Sequence, residues 1–139
     1  MNINFAVLAD FASTSGNKLN VMGIWDQVNP GTFPAQVLGP FLVMKFEADT
    51  TEAGQERRLS VVLVNADGQT MISAEQQLVI PAPPRPGANP NGNIIIQIPV
   101  LQFPAAGDYK FSILVDDDHK ADARLTVNAP ATGDTGDAE

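Results

Sequence analysis

The chain has 139 residues, 8 Lys and Arg against 16 Asp and Glu, a formal net charge of −8 and no cysteine. This length fits one domain, the absence of cysteine excludes disulfides and thiolate metal sites, and the acidic balance argues against nucleic-acid binding. Apolar residues make up 44% of the chain, which is enough for a packed core.

The predicted elements are all strands. Apolar and polar residues alternate at period two in several segments, and no segment shows a sustained helical period. We place strands at 3–10, 18–27, 40–48, 56–65, 69–80, 93–102, 108–116 and 121–127. Between the fourth and fifth strands, Gly68 follows Asp67, which predicts a tight antiparallel hairpin. The sequence therefore predicts an all-β, single-domain antiparallel β-sandwich of about seven or eight strands, immunoglobulin-like or similar, with close to no helix.

Two segments do not follow the strand pattern. Residues 81–92 contain five prolines, so this segment cannot join a central ladder and is expected to cross between the two sheets in an extended form. A PxxP ligand is the alternative interpretation. Residues 129–139 lack large apolar side chains, and we expect them to form a disordered acidic tail. The predicted β-sandwich domain is accordingly 1–128.

The strand at 93–102 is apolar on both faces. Ile94, Ile96 and Ile98 fall on one face and Ile95 on the other. Because Pro99 cannot donate to a ladder, we expect this strand at a sheet edge or at a bulge. Ile95 then requires cover from the Pro-rich crossing, from a second layer or from another chain. Our candidate interaction residues are Ile95, Ile96 and Ile98.

The segment 103–111 enters the strand at 108–116 with the pattern Gly-x-Tyr-x-Phe. It resembles the tyrosine corner of immunoglobulin-like sandwiches, where the tyrosine hydroxyl bonds back to the preceding turn. Phe111 stands where an antibody-type domain has its second cysteine. We expect Tyr109 and Phe111 to be buried.

A second resemblance covers nearly the whole chain. Residues 7–12 read VLADFA, 17–26 read NKLNVMGIWD, 107–111 read GDYKF and 123–127 read ARLTV. The chain thus resembles a bacterial family of small β-sandwich proteins of unknown function, with an N-terminal Leu-Ala-Asp followed by a Gly-rich turn and Lys-Leu-Asn-x-x-Gly-x-x-Asp. That family has no established catalytic residues, so the resemblance implies a β-sandwich and nothing sharper.

Within that pattern, Asp10 and Asp26 lie at the ends of neighbouring predicted strands, with Lys18 close in sequence. A carboxylate pair for acid-base work or for a cation is one interpretation. Turn hydrogen bonding by Asp10 and an Asp-Lys surface pair is the interpretation we favour. We expect Trp25, the only tryptophan, to pack in the core rather than to form a carbohydrate platform.

The loop at 116–122 carries four carboxylates. Asp116, Asp117, Asp118 and Asp122 are weak candidates for a calcium site, because end loops of sandwich domains can supply oxygen ligands. The spacing differs from that of a dedicated calcium loop, so we expect no metal and interpret the loop as a solvated turn. The single histidine, His119, is expected to be exposed.

Nothing in the sequence predicts catalysis. It contains no Gly-x-Ser-x-Gly motif and no Gly-rich phosphate loop, so we expect no enzyme and no cofactor. No stretch approaches the roughly 20 apolar residues of a membrane span, and the start lacks the features of a signal peptide, so we expect no membrane insertion.

We therefore expect a non-catalytic structural or protein-binding component of a larger assembly, bacterial or bacteriophage, whose partners are copies of itself or other protein subunits. The location would be cytoplasmic, or the virion if the protein is phage-encoded. The alternative is a ligand-binding or calcium-dependent surface-binding module that uses the end loops.

Overall fold

A computed structural model describes residues 1–130. The expected acidic tail at 129–139 lies, from residue 131 onward, outside the described residues. The strands are β1 (Asn2–Ser15), β2 (Lys18–Trp25), β3 (Gln27–Val28), β4 (Ala35–Leu38), β5 (Phe41–Glu47), β6 (Glu56–Val64), β7 (Thr70–Val79), β8 (Asn91–Gln97), β9 (Val100–Phe103), β10 (Gly107–Val115) and β11 (Asp118–Val127), with a 3-10 turn at Thr50–Glu52. Over residues 1–130 there is no helix long and apolar enough to cross a membrane.

Two sheets form the sandwich. The four-stranded sheet has the order β2-β1-β5-β8, and the five-stranded sheet has the order β3-β11-β10-β6-β7. Their inner faces share one apolar core, whose largest buried side chains include Leu42, Met44, Leu63, Phe103 and Phe111. The predicted all-β, immunoglobulin-like sandwich is confirmed; it has eleven strands where about seven or eight were expected, and β3 pairs with β11 in parallel.

The hairpin between β6 and β7 forms as the turn sequence predicts. The two strands pair antiparallel, and Gly68 has φ of 80°. A side chain at that φ would be strained, which is why glycine occupies the turn. On β6 the alternate residues Leu59, Val61 and Leu63 are buried, as the period-two pattern of a strand with one face in the core requires.

The predicted strand at 93–102 is interrupted at Pro99. Residues before it form β8 on β5, and residues after it form β9, which pairs with β4 in a separate ribbon. Two backbone bonds connect the ribbon to the sheet, from Ile98 N to Pro40 O at 2.9 Å and from Gly39 N to Pro99 O at 3.0 Å. The sequence did not predict β4, because its four residues lie between Pro34 and Pro40.

The hairpin of β1 and β2 extends beyond the sheet. Its two-residue turn has φ of 53° at Gly16 and 65° at Asn17, and the pairing of β1 with β5 ends at Ala9. Farther along, Ala12 nevertheless belongs to one buried cluster with Ala9 and Val43. The distal half of the hairpin therefore bends over the outer face of the four-stranded sheet.

The tyrosine corner is present. Tyr109 and Phe111 are 5% and 2% exposed, and the Tyr109 hydroxyl donates to the carbonyl of Ala105 at 2.6 Å. The ring of Tyr109 also meets Phe103 edge to face, with centroids 4.8 Å apart. Both expected burials are confirmed.

Candidate interaction edge

The strand β8 is the last strand of the four-stranded sheet. It pairs only with β5, so the expectation of an edge position, made from Pro99, is confirmed. The Pro-rich segment crosses from β7 in one sheet to β8 in the other, as predicted, but it ends at Pro90 rather than at residue 92, because Asn91 and Gly92 already pair with β5. It leaves the outer side of β8 without a backbone partner among residues 1–130.

The direction of each backbone group on β8 follows from two hydrogen bonds. At one end Ala48 N donates to Pro90 O, and at the other Ile98 N donates to Pro40 O. In an antiparallel ladder, residues alternate between facing the neighbour and facing away. The even-numbered residues of β8 therefore face β5, and the backbone groups of Asn91, Asn93, Ile95 and Gln97 face outward.

No charged residue occurs between Arg85 and Asp108, so the whole of β8 and β9 is uncharged. Natural sheets usually protect an open edge with a charged side chain, a proline or a bulge within the strand. Apart from Pro90 just before its start and Pro99 just beyond its end, β8 has no such protection. Its edge is chemically suited to pair with another strand.

The three candidate interaction residues lie on both faces of this edge. Ile96 and Ile98 are partly buried against the main core, and Ile95 packs against the cluster of Ala9, Ala12 and Val43. Of the three covers expected for Ile95, the structure supplies a second layer, which is the bent β1–β2 hairpin. The case for a partner therefore depends on the open backbone of β8 and no longer on Ile95.

A cleft of about 550 Å³ opens where β8 begins. It is lined by Thr14 and Asn17 of the β1–β2 hairpin, by Pro81, Ala82 and Pro84 of the Pro-rich crossing, and by residues 91–93. The cleft therefore borders the first three residues of β8.

Two carboxylates of the acidic end loop contact arginines of β6. Asp116 accepts from the backbone N–H of Arg58 at 2.9 Å and lies 3.6 Å from the guanidinium of Arg57. Asp117 pairs with the Arg58 guanidinium, and this contact raises the pKa of Arg58. Asp116 and Asp117 have φ of 50° and 69°, typical of a tight turn. Their carboxylates are thus engaged within the chain.

The other two metal candidates lie apart. Asp118 is exposed at the start of β11, and Asp122 accepts from His119 at 2.7 Å and from Ser112 at 3.2 Å. Burial opposes ionisation of Asp122, but these two hydrogen bonds prevail and lower its pKa. Since the Ser112 hydroxyl bonds the carboxylate rather than the imidazole, the three groups do not form the relay of a serine nucleophile. Within residues 1–130, no three His, Asp or Glu side chains converge as a metal site.

The remaining candidate residues, Asp10, Asp26 and Trp25, do not come together in one site. Asp10 lies within β1, opposite Gly23, rather than at a strand end, and it makes no ion pair with Lys18. Asp26 follows β2 and lines a groove of about 310 Å³ together with Trp25, Asp122 and Arg124. Trp25 is partly buried against the main core, as expected.

Sequence reasoning missed an exposed apolar group on β1 and β2. Phe11, Met22 and Ile24 are 49%, 66% and 64% exposed, and Phe11 lies directly opposite Met22. The signal was present in the sequence, because β2 carries apolar residues at both its odd and its even positions.

The sequence matches the profile of the Family of unknown function (DUF6941) over residues 4–128. No curated protein sequence matches the chain.

Among solved structures, the alkylpurine DNA glycosylase AlkC of Pseudomonas fluorescens, bound to DNA containing an abasic site analog, matches with a TM-score of 0.52 and 13% identity. That match covers 92% of this chain, which spans only 30% of the glycosylase chain. An immunoglobulin-like protein from Pseudomonas aeruginosa matches with a TM-score of 0.43 and 15% identity, over 91% of this chain and 95% of that one. At 13% identity, the likeness to the glycosylase concerns the fold alone.

Proposed function

The chain belongs to the Family of unknown function (DUF6941), and we propose that it is a non-catalytic protein-binding component of a larger assembly. We also propose that the protein is encoded by a bacterium or a bacteriophage, and that it is located in the cytoplasm or, if phage-encoded, in the virion. The observation that carries it is the open, uncharged backbone edge of β8.

The binding mode is strand addition. An extended strand of the partner would pair with the outward N–H and C=O groups of Asn93, Ile95 and Gln97, and main-chain bonds of this kind give affinity. The exposed parts of Ile96 and Ile98 would be covered at the same time, which adds apolar burial. The alternative of a calcium-dependent module gains no support, because arginines already hold the carboxylates of Asp116 and Asp117.

The test is affinity capture of partners by the purified chain, with two proline variants. Gln97→Pro removes an outward N–H of β8 without breaking a bond to β5. The control is Gln77→Pro on β7, one of the two edge strands of the five-stranded sheet. Ile80 N donates to Gln55 O, so by the same alternation the N–H of Gln77 also points outward.

Both variants delete one solvent-facing donor from an edge strand, so we expect a similar change in the free energy of unfolding. Only Gln97→Pro should abolish capture of the partners that the unmodified chain recovers. Equal capture by all three proteins would contradict binding at β8.

A further inference from the structure

We propose that the strand which pairs with β8 is the β8 of a second copy of this chain. The inference rests on the proposed function, because it names the partner of the same edge. It follows from the order of side chains along β8, from the charge of the chain and from the space beside the strand.

The sequence of β8 is self-complementary about Ile95. When two copies run antiparallel with Ile95 opposite Ile95, Ile94 lies opposite Ile96 of the second copy, and Asn93 lies opposite Gln97. Each isoleucine thus meets an isoleucine and each amide meets an amide. Because the backbone groups of residues 93, 95 and 97 all point outward, this alignment also brings donors opposite acceptors.

The neighbouring two-fold alignments do not match in this way. Backbone pairing requires odd-numbered residues of one copy opposite odd-numbered residues of the other. The two-fold axis must therefore pass through a residue and not between two residues. Centring on Ile94 places Asn93 opposite Ile95, and centring on Ile96 places Asn93 opposite Pro99, which has no N–H to donate. The alignment about Ile95 is the one that pairs like with like.

Charge favours contact through this strand. Two chains of net charge −8 repel each other wherever acidic surfaces meet. The uncharged run between Arg85 and Asp108 lets two copies meet along β8 without placing carboxylates face to face. On the outer face, Gln97 Nε2 has only a long 3.5 Å contact to the Gly39 carbonyl, and Asn93 Oδ1 has only a 3.5 Å contact from Lys45 Nζ, so the two amides are available to each other across two copies.

The space beside the strand suits the same occupant. The cleft at residues 91–93 lies where the end of the second β8 would emerge, near its Gln97 and Ile98. On the inner face, Ile96 would pack against Ile94 of the second copy, so the two sandwich cores would continue across an eight-stranded sheet. This contact covers the part of Ile96 that is exposed in one copy.

The experiment uses single cysteines, which the cysteine-free chain makes unambiguous. Ile95→Cys places the two thiols on the two-fold axis, in a pair whose Cα atoms are about 5.5 Å apart, within the range of a disulfide. We expect this variant to form a cross-linked dimer under mild oxidation. Asn93→Cys and Gln97→Cys should each stay uncross-linked alone and should cross-link when mixed.

Sedimentation of the unmodified chain completes the test. We expect a dimer whose association strengthens as salt is raised, because salt screens the repulsion between like-charged copies. Gln97→Pro should weaken association about tenfold or more, whereas Gln77→Pro should not. A dimer that cross-links through other positions, or a strict monomer, would overturn the inference. A monomer whose capture of a different protein is lost in Gln97→Pro would leave the proposed function intact.

Discussion

The carboxylate of Asp10 lies over Gly23 on the neighbouring strand, in the space that a side chain at residue 23 would occupy. A Cβ placed there would lie 2.9 Å from Cγ of Asp10 and still closer to one of its oxygens. Gly23 also has φ of 69°, a conformation that L side chains rarely adopt. The close contact between Asp10 and Gly23 therefore accounts for two residues of the pattern described above, the Asp of Leu-Ala-Asp and the Gly of Lys-Leu-Asn-x-x-Gly.

This relationship predicts a large effect of Gly23→Ala. The new methyl group would meet both the strained φ and the Asp10 side chain, so the free energy of unfolding should fall by about 2 to 4 kcal/mol. Gly16→Ala is the control, because Gly16 has φ of 53° and a Cβ added there would have open space around it. It should cost only about 1 kcal/mol in urea titration.

Shortening Asp10 should restore part of the loss. In the double variant Asp10→Ala with Gly23→Ala, the contacts with the carboxylate are removed, while a close 3.1 Å contact with the Cβ of residue 10 and the strain at φ remain. The double variant should therefore be more stable than Gly23→Ala alone. Equal costs for Gly23→Ala and Gly16→Ala would show that the Asp10 contact contributes nothing.

Phe111→Ala should destabilise the core strongly. Phe111 lies in β10, between β6 and β11, and it is almost fully buried. Removing a ring from such a site costs about 3 to 5 kcal/mol through lost burial and the cavity left behind. Denaturant titration measures this, and a loss below about 1 kcal/mol would mean that the site is not part of the packed core.

Tyr109→Phe tests the corner without changing the ring. The variant leaves the Ala105 carbonyl without its hydroxyl donor, so we expect a loss of about 1 to 2 kcal/mol. Thermal unfolding should show a lower midpoint. An unchanged midpoint would show that the 2.6 Å hydrogen bond adds no net stability.

Glu52 makes the free energy of unfolding depend on pH in the acidic range. The backbone N–H of Asp49, the α-amino group of Met1 and the Arg57 guanidinium all donate to its carboxylate and outweigh burial, which lowers the pKa from 4.5 to about 2. Because the folded pKa is below the unfolded one, the stabilisation is complete above pH 4.5 and is lost as the pH falls towards 2. Its size is on the order of 2 to 3 kcal/mol, since the side chain is only 13% exposed.

The variant Glu52→Gln should be less stable than the unmodified chain at pH 7 and nearly equal to it at pH 2. The exposed Glu56→Gln serves as the control and should change little at either pH. Urea titrations across this range provide the comparison. A difference between the Glu52 variant and the unmodified chain that stays constant with pH would contradict the assignment.

Local sequence patterns predicted much of the fold. Alternation of apolar and polar residues predicted β6 and β10, and Gly68 predicted the hairpin between β6 and β7. Pro99 predicted the edge position of β8. Each of these features restricts the backbone of its immediate neighbours in sequence. The bend of the β1–β2 hairpin was not predictable in this way, since it depends on a contact between Ala12 and Val43, which are remote in sequence.

The candidate edge was predicted only in part. The sequence identified Ile95, Ile96 and Ile98, but it left open what covers Ile95, because alternation does not reveal which layer lies above a sheet. The direction of each backbone group on β8 required the hydrogen bonds at Pro40 and Pro90. The pairing of Asp116 and Asp117 with arginines likewise depends on the approach of β6 to the loop.

The central claim is that β8 offers an unpaired edge to another strand, and residue-resolved amide hydrogen exchange tests it most directly. In a dilute sample of single chains, the amides of Asn93, Ile95 and Gln97 should exchange fast, while those of Ile94 and Ile96 stay protected by β5. At assembly concentration, or with the captured partner, the three outward amides should become protected by at least tenfold. Protection of all five amides in the dilute chain, or fast exchange of the outward three in the assembly, would contradict the account.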